Sequence, residues 1–232
     1  MLTLLTYPSG FGKFSNSAFS VKAAYLLVLS GQPWKREDTL DPRKMPYGKL
    51  PVLRTDERLI ADSDSIRFWL ESKGADFEPG LSDIQKAHSQ ALIRMAEDSW
   101  YFHVVLDRWG NDDIWPIVRD TLFGQIPALL RRPITNNIRK SVLRGLSIQG
   151  ISRFSEHDRM ERIERDLQAI HTYLWHSPFL MGDVPTAVDL SVAPMLDGMR
   201  NTPGQSLLSR RIREDKILTD YLDRIEQAIP LP

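Results

Sequence analysis

The hydrophobic period of this chain changes once, and that change predicts a two-part fold. Up to Gly74, short β-compatible runs alternate with one helical run and lead into another; beyond Pro79 only helical spacings of three and four remain. Leu2 to Tyr7 reads as a strand ended by Pro8-Ser9-Gly10, and a Gly/Ser/Asn loop follows to Asn16. From Ser17 to Ser30 the apolar positions suit a largely buried helix, with Gly31 placed to cap it. Trp34 to Leu40 is a second strand, and Leu50 to Arg54 with Arg58 to Ala61 form a hairpin around Thr55-Asp56-Glu57. Asp62 or Ser63 then caps a helix closed by Gly74. This order predicts a compact α/β domain over residues 1–75, a linker at 76–83 and an all-helical domain over 84–232. The helical runs there are Ile84–Trp109, Ile114–Leu130, Asn136–Gly145, Glu156–Trp175, Thr186–Met199 and Leu207–Ile229.

Composition matters most through what is missing. None of the 232 residues is cysteine, so a disulfide, a Cys-ligated zinc and a cysteine nucleophile are all excluded. Thiol chemistry, if present, uses a thiol that the ligand brings. Thirty basic residues balance thirty acidic ones, so no net field draws the whole protein to nucleic acid or an anionic surface. The longest apolar run, Ala23 to Leu29, is far short of the roughly 20 residues that span a bilayer. With no signal-peptide pattern and no disulfides, a cytoplasmic protein is expected.

Three places carry candidate chemistry. Ser17 opens the first helix, where free backbone N–H groups and the helix dipole stabilise an anion such as a thiolate. The plain alternative is a structural N-cap. In Lys49-Leu50-Pro51-Val52-Leu53, a proline starts an apolar strand. A cis bond at Pro51 would turn the Leu50 main chain outward to pair with an extended peptide; a trans proline would merely start the strand. At Asp62-Ser63 a second helix N-terminus offers Ser63 to a carboxylate and Asp62 to an ammonium, or else only a cap.

The order of strand, Ser17-Ala18-Phe19-Ser20, Gly48-Lys49-Leu50-Pro51-Val52-Leu53 and Ala61-Asp62-Ser63 resembles the thioredoxin-like domain of glutathione S-transferases. The segment Phe179-Leu180-Met181-Gly182-Asp183, followed by Pro185-Thr186-Ala187-Val188-Asp189, is similar to that superfamily's helix-capping segment; physically it is a capping box. Pro42-Arg43-Lys44, Arg94-Met95, Trp100-Tyr101 and Arg108-Trp109 resemble the branch containing metaxins and failed-axon-connections proteins. The resemblance implies a transferase of the detoxification type, a homodimer, that uses glutathione as co-substrate and no metal. It implies that Ser17 activates the glutathione sulfur, with Ser15 and Tyr7 as alternatives because the Pro8–Asn16 loop is longer than the usual tight turn. Leu50 would pair with the cysteinyl part beside cis-Pro51, Asp62 and Ser63 would hold the γ-glutamyl end, and Lys49 would reach the glycyl carboxylate. For the electrophile, Phe11, Phe14, Trp100, Tyr101, His103 and Trp109 are the candidate wall, unless this aromatic stripe is interdomain core. A non-catalytic adaptor working through protein contacts is the alternative that the metaxin likeness implies.

Two further signals read as inert. Gly10-Phe11-Gly12-Lys13 lacks phosphate-loop spacing and is expected to be a mobile loop, and Arg131-Arg132 with Arg139 to Arg144 is expected to be a solvated face.

Overall fold

The computed structural model describes residues 1–232 throughout. Four strands, β1 (Leu2–Thr6), β2 (Trp34–Asp38), β3 (Val52–Arg54) and β4 (Leu59–Ala61), form one sheet in the order β2-β1-β3-β4. β2 runs parallel to β1, which α1 (Ala18–Leu29) connects by a crossover, and β3 and β4 are antiparallel. Strand alternation splits β1 between two faces. Leu2 and Leu4 enter the main core, while Leu5 joins Leu50, Val52 and Ala61 on the opposite face. α2 (Ser63–Ser72) returns across the main-core side.

From Asp83 onward the long elements are all helices: α3 (Asp83–Met95), a π-helical turn (Ala96–Trp100), α4 (Tyr101–Gly110), α5 (Trp115–Leu122), α6 (Ala128–Gln149), α7 (Glu156–Leu174), α8 (Ala187–Arg200), α9 (Leu207–Arg213) and α10 (Lys216–Ala228). α8 is the hub. Most of its residues are buried, and it packs on α1 so that one cluster of 38 core residues runs through both halves. At its start, Thr186 and Asp189 form the expected capping box. The buried Asp189 carboxylate accepts the Leu180 N–H at 3.0 Å, the Thr186 N–H at 2.8 Å and the Tyr221 hydroxyl at 2.9 Å. Burial leads in pushing its pKa up, and those bonds oppose it.

Two boundaries differ from expectation. The break expected between Leu130 and Asn136 falls earlier, at Gly124–Pro127, and α6 runs through Pro133. A proline there removes the hydrogen bond to the carbonyl four residues back, that of Leu129, a residue that is 92% exposed. The run Leu207–Ile229 is two helices, because Asp215 caps α10 by accepting the Leu218 N–H at 3.1 Å. The Gly10–Lys13 segment also makes contacts that the sequence did not suggest. Gly10 and Lys13 form a β-bridge, and the Lys13 ammonium pairs with Asp197 at 3.2 Å and Glu226 at 2.5 Å in the helical half.

Candidate functional site

The register of β1 on β3, with Leu5 opposite Val52, brings the end of β1, the residues before β3 and the starts of both N-terminal helices to one end of the sheet. Ser17 is the N-cap of α1, in extended conformation, and its Oγ accepts the Ser20 N–H at 3.3 Å. The N–H groups of Ala18 and Phe19 have no partner within the chain, and the Ser17 hydroxyl proton has no acceptor. Three donors are therefore open at the positive end of one helix. Ser15 differs. It is buried, donates to the Tyr7 carbonyl at 2.9 Å and accepts the Ser17 N–H at 3.3 Å, so its hydroxyl closes the loop. Tyr7 packs against the Leu5, Leu50, Val52 and Ala61 cluster. Burial, then Tyr101 and Asp41, raise its phenol pKa, which keeps it a proton donor at neutral pH.

The Leu50–Pro51 bond is cis. The Leu50 side chain is buried, while its N–H and carbonyl make no hydrogen bond within the chain. The Pro51 carbonyl accepts the Asp62 N–H at 3.2 Å and so ties the strand to the start of α2. Asp62, at φ 82°, occupies a conformation that non-glycine residues rarely adopt. Its Oδ1 accepts the N–H groups of Asp64 at 2.9 Å and Ser65 at 3.3 Å, which leaves the Ser63 N–H open. Lys49, just before Leu50, is exposed and makes no ion pair. The structure thus brings Ser17, Tyr7, Lys49, Leu50, Pro51, Asp62 and Ser63 to the same end of the sheet.

Behind this edge lies a ring of four charges that sequence reasoning missed. The Lys22 ammonium contacts Asp64 and Glu97, each at 2.5 Å, and one Arg94 nitrogen contacts the same two carboxylates, each at 2.6 Å. Lys22 is buried on α1, Asp64 follows Ser63 on α2, and Arg94 and Glu97 belong to the helical half. Burial raises the Asp64 pKa, but Lys22 and Arg94 more than offset it and hold it below the usual carboxylate value. A lysine in the otherwise apolar face of Ala18–Leu29 was the available signal.

The aromatic candidates separate. Tyr101 packs on Phe19 at 5.1 Å between ring centroids, so it faces the start of α1. Phe11 lies beneath the Arg108 guanidinium at 5.1 Å, and Trp109 stacks on Trp115 at 4.9 Å. Arg108, also missed, donates to the Gly198 carbonyl at 2.7 Å, Thr202 Oγ1 at 3.1 Å and the Asn16 carbonyl at 3.4 Å. It pins the residue before Ser17 to α8. Burial lowers its pKa to about 10, so it stays cationic at neutral pH.

Three wall candidates are withdrawn. Trp100 has no exposed surface and donates its indole N–H to Asp166 at 3.0 Å, which makes it core. His103 lines a small void with Asp107, Glu156 and Arg159, where burial, then Arg159 and Arg162, lower its pKa to about 4. Phe14 packs edge-on against Trp34 at 6.2 Å and lies under Arg36 at 4.3 Å, beside β2. Residue type alone does not reveal these packing partners, which come from distant parts of the chain.

A four-stranded thioredoxin-like sheet with open donors at two helix starts, docked on a helical domain through a capped central helix, is the glutathione transferase architecture. The comparisons agree. Residues 18–115 match the glutathione S-transferase N-terminal domain and 149–224 match the glutathione S-transferase C-terminal domain. Together the two regions span about three quarters of the chain, with residues 116–148 between them. The chain belongs to the glutathione S-transferase superfamily. It is 29% identical to the isoprene-epoxide–glutathione S-transferase of Rhodococcus sp. (strain AD45), over 98% of each chain. Human metaxin-2 is 21% identical over 92% of this chain and 82% of its own. The crystal structure of glutathione transferase GSTFuA3 from Phanerochaete chrysosporium superposes with a TM-score of 0.69 at 18% identity, covering 100% of this chain and 98% of that one.

Proposed function

We propose that this protein binds glutathione at the open end of the sheet and lowers its thiol pKa for attack on a small electrophile. One observation carries this reading: the Ser17 hydroxyl proton, the Ala18 and Phe19 N–H groups, the Leu50 main chain and the Ser63 N–H all lack partners, and all lie at one end of the sheet. Each open group matches one part of the tripeptide. The Ser63 N–H, at a helix N-terminus, takes the γ-glutamyl carboxylate, and the free oxygen of Asp62 faces its ammonium. Leu50 pairs main chain to main chain with the cysteinyl residue beside Pro51, and Lys49 reaches the glycyl carboxylate.

A free thiol has a pKa of about 8.5. Lowering it by about two units needs roughly 2.7 kcal/mol of preference for the thiolate. One charge-assisted hydrogen bond from Ser17 and the open helix terminus, at about 1 to 3 kcal/mol each, supply that. The thiol proton leaves to water, and the thiolate then forms a C–S bond to the electrophilic carbon. In an epoxide the ring C–O bond breaks and the alkoxide takes a proton from water. Small epoxides head the substrates to test, because a relative matching nearly the full length is named for one. The acceptor cleft we assign is walled by Phe11, Phe19, Tyr101 and Trp109, with detoxification-type conjugation in the cytoplasm as its setting. The structure has no helix long and apolar enough to cross a membrane.

Calorimetric titration of glutathione, with the bound thiolate followed by ultraviolet absorbance, tests the reading. Binding with an acidified thiol supports it. No binding at millimolar glutathione overturns it and leaves the adaptor. We further propose a twofold dimer through the recess of about 470 Å³ between β4 and α2, beside Tyr47, Leu59 and Phe68. Tyr47 is 81% exposed, a large aromatic to leave in water. Light scattering of Tyr47→Ala against wild type checks this: a fall in mass is expected, and an unchanged mass removes the interface.

A further inference from the structure

The segment between β1 and α1 closes on itself at Gly10-Phe11-Gly12-Lys13. Gly10 and Lys13 exchange both main-chain hydrogen bonds, at 3.3 and 3.1 Å, so Phe11 and Gly12 are the central residues of a tight hairpin turn. Both have positive φ, 52° for Phe11 and 75° for Gly12. Glycine takes that conformation freely and a bulky side chain only at a cost, so Asn-Gly is what such a turn favours. Gly10 is fixed by space, because a Cβ there would fall 2.1 Å from the Asn16 side chain. Nothing in the turn itself calls for the Phe11 ring.

The ring is used outside the turn. It lies under the Arg108 guanidinium at 5.1 Å and packs on the cluster of Ile114, Trp115 and Val118 at α5. Arg108 also donates to the Asn16 carbonyl, directly before Ser17, so one side chain joins the Phe11 ring to the residue that precedes the open cap. Two residues after Phe11, the Lys13 ammonium pairs with Asp197 on α8 at 3.2 Å and Glu226 on α10 at 2.5 Å. Arg200 shares both carboxylates, at 2.8 and 3.3 Å. The turn thus crosses from the sheet to the helical half on one aromatic and one cationic foothold. Phe11 is only half-buried, which leaves part of its ring open to a ligand.

We propose that Phe11 sets the size of acceptor the cleft admits, and that Lys13 is a positioning residue that holds the Phe11 turn against the helical half through Asp197 and Glu226. This role rests on glutathione binding as proposed above and adds the acceptor class: small aliphatic epoxides, with aryl-bearing ones crowded out by the ring. Backbone strain persists only where the surroundings over-determine it, and here Arg108, the α5 cluster and the Lys13 ion pairs do so. A ring buttressed on those sides makes a wall with little room to yield. A ring that served packing alone would carry stability and leave the preference between acceptors untouched. The Lys13 pairs are partly exposed, so salt weakens them and loosens the turn.

The test is calorimetric titration of the full chain with S-methylglutathione and S-benzylglutathione, which stand for the conjugates of a small and an aryl-bearing acceptor and need no turnover. The readout is the ratio of the two affinities, which a mere loss of stability does not move. Wild type should favour the S-methyl compound. Phe11→Asn keeps a residue suited to the turn and should shift the ratio toward the S-benzyl compound by about tenfold or more, the order of burying one aromatic ring. Lys13→Met should shift it the same way by a smaller factor. Wild type in about 1 M salt should match Lys13→Met, because salt screens the same ion pairs. Circular dichroism checks that each variant is folded, and Lys13→Met with the salt series carries the test where Phe11→Asn is not. If S-methylglutathione binds and Phe11→Asn leaves the ratio unchanged, the size-setting role is overturned and the glutathione reading stands. A wild type that prefers the S-benzyl compound overturns that role as well, and an unchanged ratio in Lys13→Met overturns the positioning role. If wild type binds neither thioether nor glutathione, the glutathione reading itself fails and the acceptor role falls with it.

Discussion

The starts of α1 and α8 obey the same capping chemistry and end in opposite states. At α8 the Asp189 carboxylate is surrounded by donors: two N–H groups and two hydroxyls reach it, all from within the chain. At α1 the Ser17 oxygen satisfies one N–H, and the hydroxyl proton and the next two N–H groups are left open. A closed cap holds the fold together. An open one leaves donors for something the chain does not contain. The difference lies in the surroundings, since α8 starts in the core and α1 starts at the partly exposed end of a sheet.

The harshest way to break the comparison is Asp189→Ala. It strands the Leu180 and Thr186 N–H groups and the Tyr221 hydroxyl in the core, and a loss of about 4 kcal/mol is expected in urea denaturation. A loss under about 1 kcal/mol would mean that the cap at α8 is no more structural than the one at α1.

Next is Lys22→Met, with an expected loss of about 3 kcal/mol, because Asp64 and Glu97 lose their shared buried cation. The ring also gives a pH signature. The Asp64 pKa is lowered in the fold, so its contribution is fully present above the unfolded value near 3.8 and disappears as pH falls through the lower folded value. Wild type should therefore lose stability more steeply than Lys22→Met below about pH 4. Parallel acid-denaturation curves would show that the ring does not hold Asp64 ionised.

Ser17→Ala sharpens the contrast from the other side. Stability should fall by only about 1 kcal/mol, the ordinary worth of an N-cap. The bound glutathione thiol should instead move up by about one pKa unit, the share of the Ser17 hydrogen bond, read as the midpoint of thiolate absorbance. If stability falls by several kcal/mol and the thiol does not move, α1 is capped in the same structural sense as α8. The smallest expected effect is in Tyr7→Phe, which should leave that midpoint within a few tenths of a unit; a shift there in place of Ser17→Ala would transfer activation to the phenol.

Much of this was legible because it is local. Ser17 and the Thr186/Asp189 box act on N–H groups three residues away, and Pro51 stands at the mouth of a hairpin whose turn residues are adjacent. Both helix starts at the site, and Leu50 beside Pro51, were therefore named before any coordinate. What was missed spans long separations: Lys22 reaches residues 42 and 75 positions away, and Arg108 reaches carbonyls about 90 away. Trp100 and His103 were misplaced for a related reason. On a helix with core on two sides, composition does not say which core a side chain enters. α6 was legible as basic, but only its packing shows that Arg131 and Arg139 bond to backbone carbonyls of Gly124 and Trp109 while Leu130 and Ile148 stay exposed.

The sequence by itself determined the two-part architecture, the caps, and the residues that gather at the end of the sheet. Those follow from side-chain period and from hydrogen bonds within one helical turn or one hairpin. Tertiary structure alone decided which of those caps are closed and which remain open, which aromatics are core, and which cations are free. Those outcomes depend on the burial of each group and on partners supplied from distant parts of the chain.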